Sequence, residues 1–327
     1  MSGAKGSQTI AVVVHWQDAE DTLGCVASLE GEPDLSVVVV DNGSREPVGE
    51  LLARRAPAVE YLRSPENLGY AGGANLGIRR ALARGADTVL LLNNDARLQP
   101  GATAAARAVL QAGDVAVVGP KVLTREDPRR LWLAWGRITW RQSLVALCGA
   151  DTPDGPEWNA QRDVEWIAGC AMWLSAAALA RVGLLDEAFF AYHEEVDWCT
   201  RARRAGLRVV YCPGAVVTHT GRGTAGGEGS VRVRTYFAAR NTILFARKHA
   251  GAAQWLKLAA FLGVSLPLQL LWHLPQGDAG RVWLKVRGIR DALTDRPLPL
   301  EELGLSATRS RQGPALDPGG RAPDSFA

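Results

Sequence analysis

Cysteine is sparse in this chain of 327 residues, which has five, at Cys25, Cys148, Cys170, Cys199 and Cys212. They are odd in number and form no C-x-x-C pair, which argues against a disulfide framework or a cysteine-built zinc site and fits a reducing cytosol. A strong excess of one charge is missing too. Lys and Arg number 37 against 34 Asp and Glu, a formal net charge of +3, with a local block at Arg201, Arg203, Arg204 and Arg208. Composition therefore makes no case for a nucleic-acid partner. No internal repeat is found, and the glycine-rich segment Glu66 to Gly77 holds no G-x-G-x-x-G and follows the third strand rather than the first, which disfavours a dinucleotide oxidoreductase. The opening MSGAKGSQTIAVVVHW has one lysine before an apolar run too short for a signal peptide, so it is expected to be a first strand of a cytoplasmic protein.

What is present is an ordinary globular balance, 47% apolar and 22% charged residues, enough for one large or two small domains. Strand-like and helix-like segments alternate. Strands are expected at 9–15, 35–40, 59–62, 88–92 and 115–118, with helices at 18–29, about 46–55, about 71–83 and about 101–111. Unalternating apolar runs such as VVVV at 37–40 are typical of strands covered on both faces, so the fold class expected is α/β with a mostly parallel, doubly covered sheet. From 121 to 163 the periodicity fades, and a variable connection is expected. A strand at 164–174 and a short helix at 176–182 follow. The glycine-rich GRGTAGGEG at 221–229 reads as a flexible loop. After it come a basic helix over 231–249 and an apolar segment, 252–274, interrupted by Lys257, Gln269 and His273, with an expected kink at Pro267. Its clean run of about 17 residues is at the short limit for spanning a bilayer, so an in-plane or bundle-packed helix is as plausible as a span. The tail 306–327 reads as disordered.

Ligands of open α/β sheets collect at the carboxyl ends of strands, and the residues there are unusually polar. Asp41-Asn42-Gly43-Ser44 is good turn chemistry or a ligand contact. Glu66 to Gly77 places four glycines, two asparagines and free backbone amides at a helix start, which suits an anion. Asp95, after a buried strand, is a turn aspartate or a ligand for Mg2+ or Mn2+, which take one or two carboxylates plus phosphate and water. Glu194, Glu195 and Asp197 either complement a helix dipole or supply a carboxylate whose proton affinity burial has raised. His219 closes a strand-like segment beside the glycine loop, as a structural histidine or as a metal or phosphate ligand.

In order and spacing, VVVHW, DNGS, ENLGYAGGANLGI, LLNNDA, AGCAMWLSAAAL, LLDEAFFAYHEEVDWCTRARRAGLRVVY, VVTH and YFAARNTILFARKHAG resemble the family 2 glycosyltransferases, particularly the rhamnosyltransferase-like branch of bacterial cell-surface polysaccharide assembly. The resemblance covers roughly residues 9–251. It implies a GT-A fold with a donor half at about 9–120 and an acceptor half at about 160–230, within a domain of 1–230 followed by a helical region, 231–300. By position, it implies nucleotide-sugar contacts at His15, Asp41, Asn67, Gly69, Gly73, Asn75 and Asn94. Asn93-Asn94-Asp95 stands at the D-x-D position with Asn replacing the first Asp. Asp95 and His219 would hold the divalent metal, Mg2+ or Mn2+, and Glu195 would be the general base, with Glu194 and Asp197 as fallbacks.

The expected activity is an inverting, metal-dependent transfer of a sugar from a nucleotide-diphosphate donor, dTDP-rhamnose or a UDP-hexose, to a hydroxyl of a carbohydrate or lipid-linked acceptor. The cation would neutralise charge on the leaving diphosphate. Trp173, Tyr192 and Trp198 are candidate platforms for the acceptor sugar, though each is more simply a core aromatic. A basic helix (Arg232, Arg234, Arg240, Arg247, Lys248) ahead of the apolar segment suits peripheral contact with the cytoplasmic face of an inner membrane. The competing class is a catalytically silent, sugar-nucleotide-binding subunit, kept open by Glu in place of Asp at 195.

Overall fold

A computed structural model of the chain describes residues 8–141, 143–220 and 228–306. The elements are β1 (Thr9–His15), α1 (Ala19–Ala27), β2 (Leu35–Asn42), α2 (Gly49–Arg55), β3 (Glu60–Ser64), α3 (Gly69–Ala83), β4 (Thr88–Asn93), β5 (Ala96–Leu98), α4 (Ala102–Leu110) and β6 (Val115–Thr124). They continue with β7 (Leu131–Leu133), β8 (Trp135–Ile138), β9 (Val145–Cys148), β10 (Arg162–Asp163), β11 (Ala171–Ser175), α5 (Ala176–Val182), α6 (Glu194–Arg204), β12 (Arg208–His219), α7 (Glu228–His249), α8 (Ala252–His273) and α9 (Gly280–Leu293).

One sheet runs in the order β10-β12-β6-β11-β4-β1-β2-β3, with β5 added to β12 and β7 to β6. β1 is parallel to β2 and β4, β2 to β3 and β12 to β6, while β11 lies antiparallel between β4 and β6. The fold class is the expected one. Successive residues of β1 feed opposite faces, Val12 and Val14 into one core and Ala11 and Val13 into the other, as the period of two requires. Both faces are covered by helices, which is why these strands carry unbroken valine and leucine. Parallel strands end at one edge, so register alone brings His15 beside Asp41 and Val14 beside Asn93.

Three expectations are corrected. The stretch 121–163 is no structureless connection: β6 extends to Thr124, β7 adds to it, and β8 and β9 form a hairpin. Trp135 from this part of the chain, and Trp166 just beyond it, are buried in the main core, and Trp132, Trp140 and Trp158 pack against it. The strand expected from 164 begins only at Ala171; Val164–Cys170 is largely buried but mostly without a ladder partner. The third correction concerns the apolar segment 252–274. α8 runs through Pro267 as one assigned helix, and Leu256, Leu271 and Trp272 are 73%, 69% and 70% exposed. Only Leu258 is buried in it, against Ile243, Ala246 and Ala292, so this is not a packed bundle helix. By length and composition alone α8 is long and apolar enough to cross a membrane. The glycine loop at 221–227 and the tail beyond 306 lie outside the described residues.

Candidate active site

Antiparallel pairing of β5 with β12 sets His219 opposite Ala96, which brings the histidine onto Asp95. Nε2 of His219 lies 3.0 Å from Oδ1 of Asp95, and both side chains are buried. The Thr220 hydroxyl donates to Oδ2 of Asp95 at 2.8 Å, and the Trp132 ring packs edge-on against His219 at 4.5 Å. Burial pushes the Asp95 carboxyl upward, but the hydrogen bonds and charge of His219 and the Thr220 hydroxyl outweigh it and leave Asp95 below its ordinary value. Among the described residues no group of three or more His, Cys, Asp or Glu could hold a metal by itself. The pair still fits a hard cation in part: two ligands of an octahedral ion at about 2.1 Å stand about 3 Å apart, close to the 3.0 Å between Oδ1 and Nε2. The remaining positions would fall to phosphate and water.

Asn94 and His15 meet beside this pair. The Thr22 hydroxyl is 2.6 Å from Nδ1 of His15 and accepts from Nδ2 of Asn94 at 3.2 Å. Nε2 of His15 is buried without a protein partner, and burial lowers the basicity of the ring, so the imidazole is neutral at physiological pH.

The other expected nucleotide contacts are bound up within the chain. Asp41 accepts from the Ser44 amide (2.9 Å), Tyr61 hydroxyl (2.8 Å) and Arg63 guanidinium (3.2 Å). Asn67 accepts from the Gly69 amide at 2.9 Å and donates to the Leu305 carbonyl at 3.0 Å. Gly69, at φ +73°, starts α3, and a Cβ there would sit 2.4 Å from the Phe190 carbonyl oxygen. Gly73 lets α3 approach Val14 and Asn42. Asn75 donates to Leu185 and Glu187 and accepts from the Leu185 amide, at 2.9 to 3.0 Å, so its amide ties α3 to the segment before α6.

That segment is strained. Phe190, Tyr192 and His193 all have positive φ (63°, 67°, 70°), a conformation that costs a non-glycine residue about 1–2 kcal/mol. The chain thus delivers the first turn of α6 in a fixed pose. The three carboxylates there then separate. Asp197 is fully buried and meets Arg201 at 2.7 Å, Lys248 at 2.7 Å and His249 at 2.8 Å. Burial raises its proton affinity, but the hydrogen bonds from His249, Lys248 and Arg201 overcome this and bring its pKa down to about 2. Such a group holds no proton near neutrality, so it is a poor base. Among the described residues, Glu194 and Glu195 form no such ion pair. Each has Oε2 buried without a protein partner, as is Nδ1 of His193. Burial pushes Glu195 up to about 7, opposed by backbone amides of Glu195, Val196 and His193. Burial and the neighbouring Glu195 push Glu194 well above the carboxylate range.

Glu195 and Asp95 share neighbours. Glu195 lies against Gly169, where an added Cβ would stand 3.4 Å from its Cγ. Tyr70 donates to the Gly169 carbonyl at 3.1 Å, and behind burial, the charges of Glu194, Glu195 and Asp95 all raise the Tyr70 hydroxyl. Cys170 is raised by burial first and then by Asp95 and Glu195. Tyr70 and Cys170 therefore lie within electrostatic reach of both carboxylates.

Two aromatic expectations are corrected. Trp173 and Trp198 are 0% exposed, Trp173 in the middle of β11 and Trp198 with its indole N–H donating to the Gly183 carbonyl at 2.8 Å. Neither can meet a sugar ring without unpacking. Tyr192 is half-buried. Sequence reasoning missed Tyr70, Lys248 and His249, and also Asn241, whose amide meets three carbonyls of the strained loop. The positions lay inside recognised segments, but a helical pattern does not show which side chain crosses to another element.

A mixed sheet with polar strand ends thus carries a carboxylate-histidine pair, and a glutamate with raised proton affinity stands at the start of α6. The family model described as "Glycosyltransferase like family 2" matches residues 7–249, and the chain belongs to that family. It is 28% identical over 202 residues to a low-salt glycan biosynthesis hexosyltransferase of Haloferax volcanii, a match covering 62% of this chain and 63% of the relative. It is 28% identical over 252 residues to the N-acetylglucosaminyl-diphospho-decaprenol L-rhamnosyltransferase of Mycobacterium tuberculosis, covering 68% and 78%. The chain thus spans less than two thirds of the first of these relatives. In fold it is similar to the crystal structure of GalNAc-T7 with UDP, GalNAc and Mn2+, at a TM-score of 0.54 and 15% identity over 91% of this chain and 59% of that one. The chain has the GT-A fold.

Proposed function

We propose that the chain transfers a sugar with inversion from a nucleotide diphosphate bound through Mg2+ or Mn2+, with Glu195 as the general base. One observation carries the reading: a half-buried carboxylate with a pKa near 7 and an orphaned Oε2 lies against Gly169, and Tyr70 and Cys170 feel its charge together with that of Asp95. Inversion needs a base on the face opposite the leaving group, and a pKa near the working pH suits proton removal. Asp95 and His219 would hold the cation, which when bound neutralises charge developing on the leaving diphosphate. His15 and Asn94 adjoin that site, Asp41 and the Asn67–Gly73 turn shape the nucleotide side, and residues 9–120 and 160–230 act as donor and acceptor halves. Glu194, held protonated, donates a hydrogen bond rather than accepting a proton. Tyr192 remains the aromatic candidate on the acceptor side.

The relatives differ in name, hexosyl in one and L-rhamnosyl in the other, so the donor is dTDP-rhamnose or a UDP-hexose. The acceptor is a carbohydrate or lipid-linked hydroxyl of cell-surface glycan assembly. α8 supports peripheral contact with the cytoplasmic face of a membrane, since its exposed leucines and Trp272 lie unpacked. Of the basic side chains on α7, Arg240, Arg247 and Lys248 bond within the protein, which leaves Arg232 and Arg234 exposed for anionic headgroups.

The test is a panel of dTDP-, UDP- and GDP-sugars with Mn2+ or Mg2+, run on wild type, Glu195→Gln and Asp95→Ala. One donor should bind with metal, lose turnover but not binding in Glu195→Gln, and lose metal-dependent binding in Asp95→Ala. Binding that ignores metal and Asp95 overturns the cation assignment. Binding without turnover in wild type, across every acceptor tried, returns the silent-subunit reading. For the membrane, co-sedimentation with anionic vesicles should fall when Leu268, Leu271 and Trp272 become serine.

A further inference from the structure

The segment that delivers the base has no regular secondary structure to hold it. Phe189 to His193 joins a short 3-10 turn to α6 and contains the three left-handed residues Phe190, Tyr192 and His193. A strained stretch persists only where its surroundings over-determine it, and here most of the determinants come from α7. Asn241, fully buried in the middle of that helix, points its amide nitrogen at the carbonyls of Phe189 (2.9 Å), Ala191 (2.8 Å) and Tyr192 (2.7 Å). The Arg240 guanidinium donates to Oδ1 of Asn241 and to the Ala188 carbonyl, both at 2.9 Å, which fixes which end of the amide faces the loop. The Phe190 ring stacks on Phe237 one turn earlier on α7. On the opposite side, the Ala71 amide donates to the Phe190 carbonyl at 3.1 Å. The loop is therefore clamped between the start of α3 and α7.

We propose that Asn241 is a positioning residue for transfer: by gathering three carbonyls of the left-handed loop it sets the pose of the first turn of α6, and through it the Glu195 carboxylate. The inference rests on the reading of Glu195 as base. A group with two N–H donors on one atom can serve more than one carbonyl, which a hydroxyl with a single O–H cannot. Aspartate, of the same shape, brings oxygens against those carbonyls instead.

The experiment compares Asn241→Asp, Asn241→Ser, Arg240→Met and Glu195→Gln, each assayed per folded molecule with near-ultraviolet circular dichroism as the folding check. Groups facing Glu195 are Glu194 on its own helix, Tyr70 on α3, and Cys170 and Cys199; none is altered by these changes. Asn241→Ser and Asn241→Asp should lower kcat at least tenfold with the KM for the nucleotide sugar within twofold, and should displace the acidic limb of the pH profile of kcat. Arg240→Met should move both the same way by a smaller factor, and serves as the readout where the Asn241 variants fail to fold. Unchanged kcat and an unmoved acidic limb in the folded variants, with Glu195→Gln inactive, overturn the positioning role alone. Transfer retained in Glu195→Gln instead overturns the base assignment on which it stands.

Discussion

The nucleotide side and the start of α6 treat their buried polar groups in opposite ways. Around Asp41, Asn67 and Asn75 almost every oxygen and amide is matched by the chain itself. At His193, Glu194 and Glu195, three successive residues each leave a buried polar atom unmatched. Buried polar groups are normally satisfied, and each exception calls for a reason. On the function proposed above, the difference separates a scaffold that shapes a pocket from groups left free for substrate hydroxyls, at a cost in stability.

The sharpest break of that contrast is Glu195→Gln, expected to lower kcat about 10³-fold, within the usual range for loss of a general base. In wild type, kcat should climb as pH rises through about 7, where Glu195 ionises. The stability sign is opposite. Between about 4.5 and 7 the unfolded chain gives up this proton before the folded chain does, so folding weakens as pH rises. Urea titrations of Glu195→Gln at pH 5 and pH 8 should therefore show it gaining on wild type at the higher pH; no gain would place the carboxylate in a solvated setting.

Next in size is Asp197→Asn. Removing one member of a buried charged cluster costs about 3 kcal/mol or more, here leaving Lys248 and His249 without their carboxylate. A thermal melt should fall by on the order of 10 °C, with kcat per folded molecule little changed. Because its folded pKa lies near 2, the stability Asp197 supplies is complete above about pH 4 and is lost as pH falls toward 2. A base role for Asp197 would appear instead as a collapse of kcat in a stable protein.

Gly69→Ala comes third. A left-handed φ and a Cβ 2.4 Å from the Phe190 oxygen predict a loss of about 1–2 kcal/mol, read from the urea midpoint. A coupled fall in kcat would mark the strained loop as the element disturbed. Trp198→Phe is the smallest change. It removes the bond to the Gly183 carbonyl, worth about 1 kcal/mol, and should leave the KM for any acceptor within twofold. A larger KM change would put Trp198 back among the sugar contacts.

The alternation of the first 118 residues was legible because each element there except the three-residue β5 is long enough to show its own period, from Thr9–His15 to Val115–Val118, with boundaries within a few residues. The stretch 121–163 was not, because β7, β8, β9 and β10 are two to four residues long and draw their stability from partners elsewhere, such as β7 on β6 and the bridge from Gly136 to Trp166. The exposure of α8 was equally hidden, since an apolar helix reads alike whether packed or bare.

Within the acid cluster, sequence by itself determined that three carboxylates stand at a helix start in an α/β chain, because their spacing and the surrounding periodicity are local properties. Which of them keeps its proton was decided only by tertiary structure. Lys248 and His249 arrive from about fifty residues away to hold Asp197 ionised, while Glu195 lies against Gly169, where burial raises its proton affinity. Proton affinity follows burial and nearby charge, and neither exists until the chain has folded.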